Sequence, residues 1–463
     1  MRKTTYYRMN VLMLFISVSM FICLYSHHLL YCDDMATLLV MRMPFGEMLR
    51  FLFTEDVHLP VYFILLKVWM FFFGDSVYIA RCFSYAGLLA CAFGCGYMVK
   101  RLYGERAGLW YTALFLFLPA SFWLIKTIRM YSWACFFCTA VFWQAQAALT
   151  TGKRKDFVLY VFFSFLGAWT HYYASLTCAI IACVFLVLSW KKDRAAFKKF
   201  FIADAVLFLG VCPQIYVFLH QNPEEVNWIT DEYLFSAWVA FFEAYKGKPL
   251  FPMFVMTALW VLGLRFLLDG RKSAEKEIAK NGFLTALTFF ALLFAVSLIV
   301  KPCLGARYVI ITFGCLYAFF VFGFLNDRGG KLLVGVLIFF SCFAEIQSAK
   351  NENMSAQPFA FQGIQKNIRP DDVVVAVDWQ ILCWLYYHFP DYDIRVIKGR
   401  EPTVFKKKHR LIDGEREMSD ILSGKKVFLV SNGKIEDMNF KNVFDYYDPY
   451  MNIKFTLSEW KKL

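Results

Sequence analysis

Charge is scarce in this chain of 463 residues: Asp, Glu, Lys and Arg together supply 18% of it, against about a quarter in soluble domains. Internal repeats and low-complexity tracts are also missing. So is an inverted repeat with paired broken helices, of the kind many transporters show. The formal net charge of +13 belongs to basic residues scattered over short loops, with no motif of the usual nucleic-acid readers, so nucleic acid is not expected as a partner. No small-residue cleavage site follows the first apolar run, residues 9–30, which is also long for a signal peptide and is expected to remain as a span.

What the chain has instead is hydrophobic sequence, 59% of it, with 20% aromatic residues. Apolar stretches recur at 77–99, 107–125, 130–149, 157–190, 200–220, 251–268, 283–300, 308–325 and 331–348, where roughly 17 to 25 residues cross a bilayer. The piece at 157–190 is long enough for a hairpin turning near "WTHYY". The expected architecture is therefore an α-helical polytopic membrane protein of about eleven spans, with a range of eleven to thirteen. Placing the N-terminus in the cytoplasm puts twenty Lys and Arg in the inner segments and nine in the outer ones, as the retention of cationic loops requires. The C-terminus then lies outside. Most of the fourteen Cys fall within spans and act as small hydrophobes. "CFFC" at 135–138 has redox spacing but sits in an apolar helix, where packing is the simpler role.

Two outer segments are too long for turns. Residues 32–76 carry apolar residues at helical spacing and charges on the other face, which predicts interfacial helices interrupted near Pro44 and Pro60. Residues 221–250, acidic and then amphipathic, would cover a cavity between spans. Beyond 348 the composition turns polar, with strand-like runs at 373–378, 394–397 and 426–431. The expected division is a membrane domain over 1–348 and a small α/β outer domain over 349–463, a size that suits one domain.

Chemistry is expected at the outer rim. "YCDDM" places Asp33 and Asp34 just past the first span, and ionisable residues facing a cavity at the membrane edge are candidate functional groups. The same depth gathers His58, Lys126, Arg129, His171, Tyr172, Lys301 and Arg307. Acids and cations together suit a reaction in which a hydroxyl loses its proton to a carboxylate and a phosphate departs into Arg and Lys. Each cation has a plainer alternative as a snorkelling anchor at the headgroup level.

These residues resemble the GT-C superfamily of membrane glycosyltransferases, in the branch of protein O-mannosyltransferases and the lipid A aminoarabinose transferase. The family's Asp-Glu pair in the first outer loop corresponds to Asp33-Asp34, its His-Pro-Pro-Leu-Tyr stretch to "HLPVY" (58–62), and its Phe-Gly segment leading to an Arg to "FGDSVYIARCFS" (73–84), with Arg81. "RMYS" (129–132) matches the end of its Glu-Ala-Arg-Met-Tyr-Ser signature, and "THYY" (170–173) and "RYVI" (307–310) match two further sites. Thr127 and Ile128 stand where the family has Glu-Ala, and Asp34 replaces its Glu. The resemblance spans roughly residues 10 to 325.

It implies an inverting transferase that takes a sugar from a polyprenyl-phosphate donor to an acceptor on the outer face: an envelope glycan, a glycolipid or a protein. Asp33 would be the catalytic base, with Asp34 beside it. Arg129, Arg307, His58 and Lys126 would bind the donor phosphate, and Arg81, Tyr131, His171, Tyr172 and Tyr308 would line the substrate pocket. No cofactor is assigned; a divalent metal is left open, because neither the Asp pair nor His58 has ligand spacing that asserts one. The alternatives are a flippase of lipid-linked glycans and a polymerase or ligase of surface polysaccharide.

Overall fold

The computed structural model describes residues 3–25, 30, 32–221, 250–269, 273–352, 362, 364–376, 379–397, 410–412, 426–432, 440–448 and 453–460. Most of the expected second outer segment, 222–249, lies outside the described residues. Two compact units emerge. One comprises Met1–Ser26 with Leu52–Gln347; the other joins His27–Phe51 to Ser348–Leu463.

The first unit is helical. Its elements are α1 (Lys3–Tyr25), the end of α3 (Phe45–Thr54), α4 (Pro60–Phe73), α5 (Val77–Leu89), which continues through a π-helical turn into α6 (Gly96–Tyr103), α7 (Glu105–Phe117), α8 (Pro119–Lys126), α9 (Tyr131–Thr151) and α10 (Arg154–Ala168). Then follow α11 (Tyr172–Lys192), α12 (Arg194–Val211), α13 (Pro213–His220), α14 (Leu250–Leu268), α15 (Ala274–Ile299), the short α16 (Ala306–Val309), α17 (Phe313–Phe324) and α18 (Arg328–Glu352). Each of the eleven expected spans coincides with one of these helices or helix pairs. Among the described residues seven are long and apolar enough to cross a membrane, or eight if the bent pair α7–α8 is one span. Helix α9 is among the remainder because polar residues such as Gln144 and Gln146 lower its hydropathy, and α10 because it has only 15 residues.

Burial separates the core from the lipid-facing shell. The segment Arg307–Phe324 is 89% buried, whereas the windows in α1 and α18 are 17% and 22% buried. A helix apolar all round and covered on one side only is what a bilayer accepts. The core depends on close backbone approach: a Cβ on Gly282 would lie 2.3 Å from the Cys315 carbonyl, and one on Gly314 would collide with Thr139. Small residues let helices meet this way where no hydrophobic force drives them together.

Local sequence explains the breaks. Pro119 lacks an N–H to continue α7, and the chain bends by 55° there, as a proline in a helical run requires. The hairpin at 157–190 turns at Trp169–His171, where the His171 ring nitrogen accepts the Tyr173 N–H at 3.1 Å and caps α11. That satisfies one of the donors a helix N-terminus leaves over.

The second unit holds α2 (Cys32–Arg42), the start of α3, α19 (Trp379–His388) and six strands. These are β1 (Val373–Ala376), β2 (Asp393–Ile397), β3 (Arg410–Ile412), β4 (Val427–Asn432), β5 (Phe440–Asp448) and β6 (Ile453–Trp460), in the order β3-β2-β1-β4-β6-β5. Strands β1 to β4 pair in parallel, and β6 and β5 add antiparallel at one edge. Helix α19 crosses between β1 and β2, its inner face carrying Ile381, Leu382, Trp384 and Leu385, all buried. Helix α2 packs on α19. The Arg42 guanidinium stands 4.7 Å from the Tyr387 ring centroid, a cation–π contact that ties the end of α2 to α19. The first outer segment is indeed a run of helices broken at Met43–Pro44 and before Pro60, and its first helix is built into the same unit as the C-terminal sheet.

Candidate functional site

The loop between α3 and α4 begins the site. In "TEDVHLP", Asp56 and His58 are two residues apart and turn toward each other: the His58 Nδ1–H donates to Asp56 Oδ1 at 2.7 Å, and the same oxygen accepts the Val57 N–H at 2.7 Å. On the far side of the ring, Arg129 Nη2 lies 2.7 Å from His58 Nε2. Arg129 stands in the four-residue break between α8 and α9, where Thr127 is extended and the helix restarts at Tyr131. Asp56 is 7% exposed and Arg129 7%. Burial alone would raise the Asp56 carboxyl, but His58, and Arg129 beyond it, outweigh that and hold it below the ordinary carboxylate value.

The loop is pinned from two directions. The Val61 N–H donates to the Trp169 carbonyl at 3.1 Å. Gln221 reaches in from the end of α13, donating to the Leu52 carbonyl at 2.7 Å and the His58 carbonyl at 3.2 Å, while its own oxygen accepts the Tyr172 hydroxyl at 2.7 Å. Tyr172 is thus engaged with the residue that fixes the His58 backbone.

Beside this chain lies His171, 8% exposed. It is held well below the usual histidine range, first by burial and then by neighbouring positive charge, that of Arg129 and Arg307 included. Arg307 is carried on the short α16, next to Tyr308. The two guanidinium groups come from chain positions 178 residues apart, 307 against 129. Aromatic rings complete the wall. Tyr131 lies 5.7 Å from His171 and 6.3 Å from Tyr308 by ring centroids, Tyr308 is 5.7 Å from His171, and Tyr173 stacks on Tyr308 at 4.2 Å. The Tyr173 hydroxyl donates to the Cys303 carbonyl in the loop before α16.

The expected residues therefore divide. His58, Arg129, His171, Tyr131, Tyr172, Tyr308 and Arg307 meet at one end of the helical unit. Lys126 turns elsewhere: it pairs with Glu345 of α18, both side chains nearly buried. Arg81 is 1% exposed on α5, a helix packed against α4, α8 and α9. Asp33 and Asp34 occupy the first turn of α2 in the other unit, Asp33 half-buried and Asp34 fully buried. Acidic side chains in a first turn complement the helix dipole. Among the described residues no group of three His, Cys, Asp or Glu side chains gathers as a metal site. Cys135 and Cys138 are buried within α9, and neither they nor Cys32, Cys303 and Cys383 are joined in a disulfide.

Sequence reading passed over Asp56, Gln221, Tyr173 and Glu345. Asp56, an acid two residues before the histidine of a motif, and Tyr173, the last residue of "THYY", each carried a signal. Gln221 and Glu345 act through pairings that join distant helices.

The chain combines a unit of apolar, span-length helices with a mixed α/β unit. Two solved structures share this fold. Structures of ArnT from Cupriavidus metallidurans align over 97% of this chain and 97% of theirs at 12% identity, with a TM-score of 0.66 for the form bound to undecaprenyl phosphate and 0.51 for the apo state. At that identity the likeness is one of fold. No family model matches the sequence, and no curated protein matches it.

Proposed function

We propose that this protein is an inverting glycosyltransferase that moves a sugar from a polyprenyl-phosphate carrier to an acceptor hydroxyl on the outer face of the membrane. The observation that carries this reading is that the α8–α9 break bearing Arg129 and the short α16 bearing Arg307 meet around His171 through Tyr131 and Tyr308. A pair of guanidinium groups in a partly dry site is suited to phosphate oxygens, which they bind through paired N–H donors. Support also comes from the fold, which is closer to ArnT holding undecaprenyl phosphate than to its apo form.

The chemistry is a single displacement. The acceptor oxygen attacks the anomeric carbon as its proton passes to Asp33, and the bond between that carbon and the phosphate oxygen breaks. The phosphate leaves with one more negative charge than it had as a diester. Arg129 and Arg307 stabilise that added charge, so they act more strongly on the transition state than on the bound donor. His171, Tyr131 and Tyr308 line the pocket. The donor must be lipid-linked, because nucleotide sugars are cytosolic whereas a flipped lipid carrier enters between spans. The excess of Lys and Arg on the inner segments sets the N-terminus inside and the C-terminus outside.

The test is transfer itself. Purified protein given a labelled polyprenyl-phosphate sugar and a membrane extract moves label to a product one sugar larger. Asp33→Asn stops the transfer without changing expression. Transfer by the Asn variant at the parental rate removes Asp33 as the base; block-sized products, or lipid translocation without transfer, assign the protein to polymerases or flippases.

A further inference from the structure

We infer that Asp56 and His58 are positioning residues that set Arg129 for the lipid phosphate, an inference that rests on the donor chemistry proposed above. The hydrogen-bond roles follow from Arg129. A guanidinium has donors only and keeps its charge, so the 2.7 Å contact between Arg129 Nη2 and His58 Nε2 requires a bare lone pair on Nε2. The imidazole proton then resides on Nδ1 and is donated to Asp56 Oδ1 at 2.7 Å. Both ring nitrogens are thereby committed to protein partners. His58 has no N–H left to offer a phosphate, which reassigns it from the donor-binding role expected of its motif.

The carboxylate fixes the tautomer and the ring, and the ring fixes the plane of the guanidinium. The frame is stiff because Asp56 Oδ1 also holds the Val57 N–H and Gln221 holds the His58 carbonyl. A carboxylate that orients a histidine, which in turn orients the working group, is a recurring second layer of functional sites.

The experiment measures the affinity of the full-length protein in detergent for undecaprenyl phosphate, together with kcat and KM for transfer. The variants are His58→Phe, His58→Gln, Arg129→Lys and the double variant His58→Phe with Arg129→Lys. Phe keeps the ring shape and loses both bonds. Gln places an amide oxygen near the position of Nε2 and can still accept from Arg129. Lys keeps a charge, so binding stays measurable, but lacks the planar fork that His58 aligns.

The expected result is about a 10-fold loss of affinity for His58→Phe, about 3-fold or less for His58→Gln, and less than about 2-fold for the Phe change once Lys is at 129, since neighbours in one network do not add. Transfer by the Phe variant falls further in kcat than in KM. Equal losses for Phe and Gln, or an undiminished Phe effect on the Lys background, overturn the inference while leaving the transferase reading intact. Wild-type protein that does not bind undecaprenyl phosphate overturns the donor assignment, and the inference falls with it.

Discussion

Lys126 and Arg129 are three residues apart in "LIKTIRMY", both nearly buried, and they end in opposite circumstances. Lys126, at the last turn of α8, meets the Glu345 carboxylate of α18 directly. Arg129, past the break at Thr127 and Ile128, meets the His58 ring, whose other nitrogen donates to the Asp56 carboxylate. A direct ion pair neutralises its cation and joins two helices; a neutral ring orients a guanidinium without neutralising it. Of two basic residues that a sequence presents as equivalent phosphate ligands, one pairs across the bundle and the other is proposed to hold an anion.

The widest test of that contrast is activity. Arg129→Ala is expected to slow transfer by about 10²- to 10³-fold, the usual loss when a group that stabilises developing charge is removed, whereas Lys126→Met slows it by about 10-fold or less. Initial rates with a labelled lipid-phosphate sugar decide it; equal losses would abolish the distinction. Stability should show the reverse order. Glu345→Gln strips Lys126 of its partner and is expected to cost about 2 kcal/mol, below the 3 to 5 of a fully buried pair because both side chains retain some exposure. The melting temperature in detergent reads this, and an unchanged value would make the pair incidental.

A third prediction concerns acid. His171 is held neutral in the fold, with its pKa well below the ordinary 6.5, so below 6.5 the unfolded chain binds a proton that the folded chain refuses. Stability conferred by this residue is complete above that pH and is lost as the pH falls toward the depressed folded value. Asp56, depressed below 3.8, contributes in the same sense only in more acid solution, since its stabilisation is present above its unfolded value and lost as the pH falls through its folded one. His171→Asn keeps a side-chain acceptor for the Tyr173 N–H but does not titrate, so its melting temperature should fall less between pH 7 and 5 than that of the parent. Parallel pH profiles would disprove the assignment. The smallest effect is expected of Tyr172→Phe, which deletes the hydroxyl bond to Gln221 for about 1 kcal/mol and changes transfer by less than about 3-fold.

Local chemistry made much of this fold readable in advance. The expected helix breaks fall at Pro44 and Pro60 because proline cannot supply the missing N–H, while Pro119 adds a bend inside the expected span 107–125, and the hairpin turns where His171 caps α11. The runs at 373–378, 394–397 and 426–431 overlap strands β1, β2 and β4. Strands β3, β5 and β6 escaped notice because they are mixed polar sequence whose extended form comes from pairing at the sheet edges. Glu345 lies near the end of a span, and nothing within its own helix points to Lys126.

Periodicity and composition alone determined that the chain is a helical membrane protein with a polar C-terminal portion, since apolar length and the siting of loop charges are properties of contiguous residues. Motif order placed His58, Arg129, His171 and Arg307 near one rim. Which of them touch was decided only by tertiary structure: that Asp56 stands behind His58, that Glu345 claims Lys126, and that α2 with Asp33 and Asp34 is built onto α19. Hydrogen bonds and ion pairs act over about 3 Å, and linear spacing carries no such information once the partners lie on different helices.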